Sequence, residues 1–166
     1  KRISGVDIDC LIAIGGGSVM DLSKGLAVIL KNEGPAINFK GFPKDLVMPI
    51  PVVTVPTLAG TGSEIAYNAV FTDSQKKMRL GINTEYNYPA LSVIDPKLTL
   101  TAPKSAVVSG ILDCLNHITE GFISDNSSKF SREISKSSFF LWYNSVTTLN
   151  NDFNSLGIIG KVEDQV

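Results

Sequence analysis

The feature that most constrains the fold is an apolar run that ends in three glycines and is followed at once by a helix signal. Residues 10–14 are apolar without a helical period, and they stop at glycines 15–17. This combination indicates a buried parallel strand that ends in a tight turn. Ser18 stands three residues before Asp21, which is the spacing of a capping box, so a helix is expected to begin at about Ser18.

A strand, a glycine turn and a helix N-terminus in this order direct several backbone N–H groups at one point. The helix dipole adds roughly half a positive charge there, so the point suits a phosphate group. The residues that would surround it are Gly15, Gly16, Gly17 and Ser18. They do not spell the common dinucleotide fingerprint G-x-G-x-x-G, and a tight turn without a ligand is the alternative interpretation of this loop alone.

A second short β-branched run, residues 51–55, leads into a loop of small and hydroxyl-bearing residues with the sequence PTLAGTGSE. Small side chains let backbone and Oγ groups approach a ligand, and hydroxyl groups hold ribose or phosphate oxygens without a charge. Thr57, Thr61 and Ser63 are therefore candidate ligand contacts. The alternative is a solvent-exposed turn, in which Ser, Thr and Gly are ordinary.

Periodicity and turn residues predict the other elements. The first helix should run to about Asn32 with one apolar face, and Gly25 inside it favours close packing of that helix against a sheet. That apolar face would carry Leu22, Leu26, Ile29 and Leu30. The further expected elements are strands at 67–73 and 77–83 joined at a turn over 73–75, an apolar run at 91–94, and helices at 101–124 and 129–150. Gly110 is a point where the first of these two helices could divide.

Asp113 and His117 are four residues apart in the predicted helix 101–124, so they stand one turn apart on the same side. They lie beside the apolar stripe of that helix and are close enough to share one metal ion. An exposed hydrogen-bonded pair without a metal is the alternative.

Three motifs in this order resemble those of the iron-dependent (group III) alcohol dehydrogenases. The stretch GGGSVMDLSK at 15–24 is similar to the family's glycine loop G-G-G-S-x-x-D-x-x-K, and PTLAGTGSE at 56–64 is similar to P-T-x-x-G-T-G-S-E. The stretch GILDCLNHITE at 110–120 resembles the metal-binding helix. Two residues separate its glycine from its aspartate, as in the butanol-dehydrogenase-like and broad aldehyde reductase subgroup.

The resemblance implies a Rossmann-like α/β dinucleotide-binding domain over residues 1–100, followed by an all-helical metal-binding domain over 101–166. This is the dehydroquinate synthase-like architecture, here truncated at both ends, as a portion of a larger subunit. The implied reaction is hydride transfer between NAD or NADP and a primary alcohol or aldehyde, with a divalent ion, iron or zinc, polarising the substrate oxygen. A catalytically inactive nucleotide-binding module that acts through binding or assembly is the alternative.

The resemblance also implies site residues. The implied cofactor contacts are Gly15, Gly16, Gly17, Ser18, Asp21, Thr57, Thr61, Ser63 and Arg79. Arg79 stands where many relatives carry a lysine near the nicotinamide, and its planar fork places the charge differently. A surface arginine on an edge strand is the alternative for Arg79. Asp113 and His117 would be the first two of four metal ligands, and Glu120 could orient one of them. The other two ligands would be histidines further downstream, whereas this chain contains one histidine.

Composition and charge limit the classes of partner that the chain is expected to bind. The chain has 166 residues, 43% of them hydrophobic, and a net charge of −1, which gives no electrostatic basis for binding nucleic acid or a membrane surface. No apolar run approaches the roughly 20 residues that span a bilayer, and no signal-peptide pattern follows the N-terminus. We therefore expect a cytoplasmic protein. Separately from composition, we expect a homodimer or higher homo-oligomer. Cys10 and Cys114 lack disulfide or metal-cluster spacing and are expected to be small buried apolar residues.

Overall fold

The computed structural model describes residues 7–73 and 77–155 of the chain. The chain forms two compact units, Lys1–Val107 and Val108–Val166. The first is an α/β unit and the second is helical, as expected from the sequence. Our functional division of the chain at residue 100 stays a prediction.

The helices and strands follow the expected order. They are β1 (Leu11–Gly15), α1 (Gly17–Lys31), β2 (Val52–Pro56), β3 (Asn68–Asp73), β4 (Met78–Asn83), β5 (Leu91–Ser92), α2 (Lys104–Ile123) and α3 (Lys129–Ser155). Short 3₁₀ turns lie at Ala36–Phe39, Ser63–Ile65, Glu85–Asn87 and Pro96–Thr99. No helix among the described residues combines the length and the apolar character that crossing a membrane requires.

Three parallel strands in the order β1-β2-β5 form the first sheet. Leu11 lies opposite Val52, and Gly15 lies opposite Pro56. Because β1 and β2 are parallel and in this register, both end at the same edge of the sheet. The loops that follow them therefore leave the sheet side by side.

A separate antiparallel hairpin joins β3 and β4, with Asn68 opposite Asn83 and Asp73 opposite Met78. The predicted hairpin is confirmed, although residues 74 and 75 of its predicted turn lie outside the described residues. α1 packs against β1 and β2 of the parallel sheet and against β3 of the hairpin.

The buried face of α1 agrees only in part with the predicted one: Leu26, Ile29 and Leu30 are half-buried, and Leu30 packs against the core. Leu22 is 60% exposed, whereas Met20, Lys24, Ala27 and Val28 are buried. Lys24 and Met20 are the largest fully buried side chains on this face, and Lys24 is tolerated there because its ammonium group is hydrogen-bonded. The core of the unit consists of Ala13, Met20, Ala27, Ile50 and Val52.

Gly25 marks the closest approach of α1 to the hairpin. A Cβ atom at Gly25 would lie 2.1 Å from Cζ of Phe71 in β3, so only glycine fits this contact as it stands. The expected close packing at Gly25 is confirmed, and the partner is the hairpin.

The predicted capping box does not form. α1 begins at Gly17 with Gly16 as its N-cap, and no side chain caps it. The carboxylate of Asp21 is unavailable to the helix end because it accepts hydrogen bonds from Ser63 Oγ at 2.6 Å and from the Val70 N–H at 3.0 Å.

The prediction that Cys10 is buried is wrong, since this residue is exposed, while Cys114 is half-buried.

The side chains of β1 alternate between the two faces of the sheet. Among the described residues, α1 covers one of these faces. Ile12 and Ile14 point to the other face and are 66% and 62% exposed.

In the second unit, α2 continues without interruption through the buried Gly110. The indole Nε1–H of Trp142 in α3 donates to the Ile111 carbonyl oxygen of α2 at 2.9 Å. Gly121 and Ser135 also face each other closely, because a Cβ atom at Gly121 would lie 3.0 Å from Ser135 Oγ. α3 extends to Ser155, five residues beyond the predicted end at Asn150.

Candidate cofactor and metal sites

The three glycines after β1 have different surroundings. A Cβ atom at Gly15 would lie 2.8 Å from Val19 Cβ, and one at Gly17 would lie 2.7 Å from Thr61 Oγ1. The nearest atom to a Cβ at Gly16 is Leu58 Cβ at 3.9 Å, an ordinary contact. Gly15 and Gly17 are thus needed for packing, whereas the hydrogen of Gly16 borders open space into which a ligand could approach.

The backbone N–H groups of Gly17 and Ser18 belong to the first turn of α1. The Gly16 carbonyl accepts from the N–H groups of Val19 at 3.0 Å and Met20 at 3.2 Å, which starts the helical ladder. The N–H groups before these have no acceptor within the helix and lie at the positive end of its dipole. This end of α1 therefore suits a phosphate group, and Ser18 there is exposed.

The loop after β2, residues 57–63, which we call the hydroxyl loop, lies directly against the glycine loop, residues 15–18. The Thr57 N–H donates to the Gly15 carbonyl at 3.0 Å. The Thr61 side chain fills the space beside Gly17, and its Oγ1 accepts from the Ser63 N–H at 3.2 Å. The structure thus brings together the two loops that the sequence analysis singled out.

Ser63 and Asp21 meet each other inside the unit. Ser63 is 4% exposed, and its hydroxyl donates to Asp21 Oδ1 at 2.6 Å. Asp21 keeps 17% of its side chain exposed. Direct contact of Asp21 and Ser63 with a cofactor stays a prediction.

Lys24 completes this cluster. The sequence analysis quoted it as the last residue of the glycine-loop motif but did not place it among the site residues. Its ammonium group is fully buried and donates to Ser63 Oγ at 3.0 Å, to the carbonyl oxygens of Ala66 at 2.8 Å and Asn68 at 3.2 Å, and to the Ser63 carbonyl. Burial lowers the pKa of Lys24, while the carboxylates of Asp21 and Glu64 raise it. The available signal was the Asp21–Lys24 pair, two opposite charges three residues apart in an apolar helix.

Arg79 lies on β4 opposite Thr72, and its side chain is exposed. Its position on the hairpin is consistent with the predicted edge strand. A role of Arg79 near the nicotinamide stays a prediction.

In the second unit, Asp113 Oδ2 and His117 Nε2 lie 3.7 Å apart, and their side chains are 43% and 54% exposed. Two donor atoms about 2.1 Å from one ion are roughly 3.4–3.6 Å apart at tetrahedral to trigonal angles. The pair therefore fits two ligand positions of one divalent ion. The described residues contain no group of three or more side chains suited to hold a metal.

The surroundings of this pair are exposed and polar. The Glu120 carboxylate accepts a hydrogen bond from Asn116 Nδ2 at 3.2 Å. Its predicted role in orienting a metal ligand stays a prediction. Burial and the neighbouring Asp113 raise the pKa of the Cys114 thiol, which favours its neutral form over a metal-binding thiolate.

The sequence profile of iron-containing alcohol dehydrogenases matches residues 1–96 of the chain. A probable NADH-dependent butanol dehydrogenase 1 of Bacillus subtilis is 38% identical over 119 residues, which are 70% of this chain and 30% of that protein. The chain thus spans about a third of the length of the curated relatives it matches.

Solved structures agree with the sequence match. NADH-dependent butanol dehydrogenase A from Thermotoga maritima superposes with a TM-score of 0.71 at 32% identity, over 78% of this chain and 33% of that chain. Sulfoacetaldehyde reductase from Bifidobacterium kashiwanohense in complex with NAD+ superposes with a TM-score of 0.66 at 31% identity, over 73% and 32% of the two chains. From the profile match, the relatives and the paired loops, we conclude that the chain belongs to the iron-containing alcohol dehydrogenase family.

Proposed function

We propose that this protein is an oxidoreductase that transfers a hydride between NAD or NADP and a primary alcohol or aldehyde. The observation that carries the proposal is the contact between the glycine loop and the hydroxyl loop at the carboxyl edge of the parallel sheet. Dinucleotides bind at such edges in open α/β sheets. Relatives named as NADH-dependent butanol dehydrogenases and a relative solved with NAD+ support this cofactor.

In this proposal the glycine loop binds the pyrophosphate. The N–H groups of Gly17 and Ser18 donate to phosphate oxygens, and Gly16 leaves room for the approach, while Gly15 allows the turn to pack against Val19. Thr57 and Thr61 offer hydroxyl groups from the neighbouring loop, while Arg79 supplies a positive charge near the nicotinamide. The nicotinamide ring supplies the redox chemistry, and the protein orients it.

Asp113 and His117 are proposed to hold a divalent ion, iron or zinc, together with ligands outside this pair. Their spacing of 3.7 Å and their exposure support this role. The bound ion supplies a Lewis acid that stabilises negative charge on the substrate oxygen. Carboxylate and imidazole donors suit both iron and zinc.

The substrates are proposed to be small alcohols or aldehydes, in line with the names of the relatives. A cytoplasmic location and a homodimer or higher homo-oligomer complete the proposal.

Titration of the purified chain with NADH and NADPH, followed by fluorescence, tests the cofactor site. We expect saturable binding that ADP-ribose displaces, because the loops recognise the pyrophosphate. The control is His117→Ala, which leaves both loops intact and should bind NADH like the wild type. Absence of binding by a folded chain, shown by circular dichroism, would contradict the proposal.

A further inference from the structure

A buried cation ties α1 to the last residue of the hydroxyl loop and to the segment that follows it. The side chain of Lys24 is fully buried, and it donates to acceptors on Ser63, Ala66 and Asn68. These partners lie 39 to 44 residues further along the chain. An ammonium group has three N–H donors, so this set of acceptors saturates it and holds it in one orientation.

Asp21 holds the same segment from one turn earlier in α1. Its Oδ1 accepts from Ser63 Oγ at 2.6 Å and lies 3.9 Å from Lys24 Nζ. Its Oδ2 accepts from the Val70 N–H in β3 at 3.0 Å. The Ser63 hydroxyl is thus held between a carboxylate and an ammonium group, and its single proton is committed to Asp21.

Ser63 passes this constraint to the face of the hydroxyl loop that meets the glycine loop. Its N–H donates to Thr61 Oγ1 at 3.2 Å, which fixes the rotamer of Thr61. The Thr61 side chain in turn fills the space beside Gly17, at the first turn of α1. A displacement of Ser63 would therefore change the distance between the two loops.

We propose that Lys24, Asp21 and Ser63 form a buried clamp that sets the position of the hydroxyl loop against the glycine loop. In this role they are positioning residues, which act on the cofactor through the two loops. This inference rests on the proposed function for the identity of the ligand, a nicotinamide dinucleotide. The clamp itself rests on the hydrogen bonds above.

The opposite end of α1 provides a matched control. Asn32 is buried there and ties the helix to Val47 by two hydrogen bonds, from Asn32 Nδ2 at 3.0 Å and to Asn32 Oδ1 at 2.8 Å. Asn32→Ala removes buried hydrogen bonds between α1 and a distant segment, as a clamp variant does. The contacts of Asn32 involve neither loop. Loss of stability alone would affect Asn32→Ala and a clamp variant alike.

The test compares Lys24→Met, Ser63→Ala and Asn32→Ala in the whole chain. Two quantities are measured: NADH affinity by fluorescence titration, and amide hydrogen exchange of residues 57–62 without cofactor. Lys24→Met should weaken NADH binding by about tenfold, because hydrogen bonds to a charged group are lost. It should also speed exchange of residues 57–62, and Ser63→Ala should do both to a smaller extent. Asn32→Ala should change neither quantity.

Unchanged exchange of residues 57–62 in Lys24→Met and Ser63→Ala would overturn the clamp. Equal effects of Asn32→Ala would overturn it as well, since the role would then be general stability. If the wild type binds no NADH, the proposed function fails, and the exchange rates alone decide the clamp. If Lys24→Met does not fold, Ser63→Ala and Asp21→Asn decide by the same two measurements.

Discussion

Gly16 is the residue at which ligand binding and folding can be separated. Its φ of −80° is available to any residue, and a Cβ atom there meets only Leu58 at 3.9 Å. We predict that Gly16→Val folds but binds NADH at least about tenfold more weakly, about 1.4 kcal/mol, because its side chain occupies the approach to the helix N-terminus. Fluorescence titration measures the affinity, and circular dichroism checks the fold.

Gly17→Ala is the contrasting variant. Its Cβ would lie 2.7 Å from Thr61 Oγ1 and Cγ2, so it should lower the free energy of unfolding as well as the affinity. A Gly16→Val protein that binds NADH like the wild type would remove this loop from the cofactor site.

Lys24 should make the stability depend on pH in the alkaline range. Burial lowers its pKa from the ordinary value of 10.5, although Asp21 and Glu64 raise it. Between the lowered pKa and 10.5 the unfolded chain binds more protons than the native one, so the free energy of unfolding should increase with pH in this window. Below the lowered pKa, Lys24 is charged in both the native and the unfolded state, so the full free-energy cost of burying that charge is present.

Urea unfolding of the wild type and of Lys24→Met between neutral pH and 10.5 measures this dependence. As the pH rises, the free energy of unfolding of the wild type should increase relative to that of Lys24→Met. Lys31→Met, which alters an exposed lysine of the same helix, should run parallel to the wild type. Parallel curves for Lys24→Met would show that its pKa is not lowered.

At the scale of elements, the contact of α1 with β3 depends on one missing side chain. A Cβ at Gly25 would lie 2.1 Å from Cζ and 2.8 Å from Cε2 of Phe71. Alanine favours an isolated helix over glycine by about 1 kcal/mol. We nevertheless predict that Gly25→Ala destabilises the protein by about 1–3 kcal/mol in urea unfolding, because the ring must move.

A second substitution identifies the cause of this loss. Phe71→Leu shortens the side chain that meets Gly25, so Gly25→Ala should cost less in a Phe71→Leu background than in the wild type. Additive losses in this double-mutant cycle would mean that Gly25 is required for a reason other than its contact with Phe71.

The local elements of this fold were predictable because their signals are local. The glycines that end β1, the β-branched run of β2 and the hairpin pattern of β3 and β4 each lie within a few residues. The buried face of α1 was predictable only in part, since periodicity selected Leu30, which packs against the core, but also Leu22, while the structure buries Lys24. What permits that burial is a set of acceptors more than 38 residues away, which no helical period reveals.

The candidate sites, too, were predictable where their signals are local and unpredictable where they depend on distant residues. The glycine loop and Thr57 follow short apolar and β-branched runs that indicate strands, and parallel pairing then places them together. The engagement of Ser63 by Asp21 was missed because a hydroxyl group in a Gly-rich loop gives no sign of whether it faces ligand or protein. The capping box failed for the same reason, since its carboxylate had a partner elsewhere.

At the scale of the whole molecule, the number of metal ligands limits how tightly the chain can hold an ion. The chain spans 30% of a B. subtilis relative, and among its described residues Asp113 and His117 stand as a pair. A catalytic site normally holds its metal by at least three protein ligands. We therefore predict that the 166-residue chain binds its metal loosely, loses it on dialysis and does not reduce aldehydes.

The central claim is tested most directly by metal content measured together with NAD(P)H-dependent aldehyde reduction, on the 166-residue chain and on a polypeptide extended at both ends. We predict one tightly held ion per subunit and turnover in the extended form, both abolished by Asp113→Ala or His117→Ala. Asn116→Ala, on the same helix, should keep both. Tight stoichiometric metal and full activity in the 166-residue chain, or activity that survives loss of Asp113 and His117, would contradict the account.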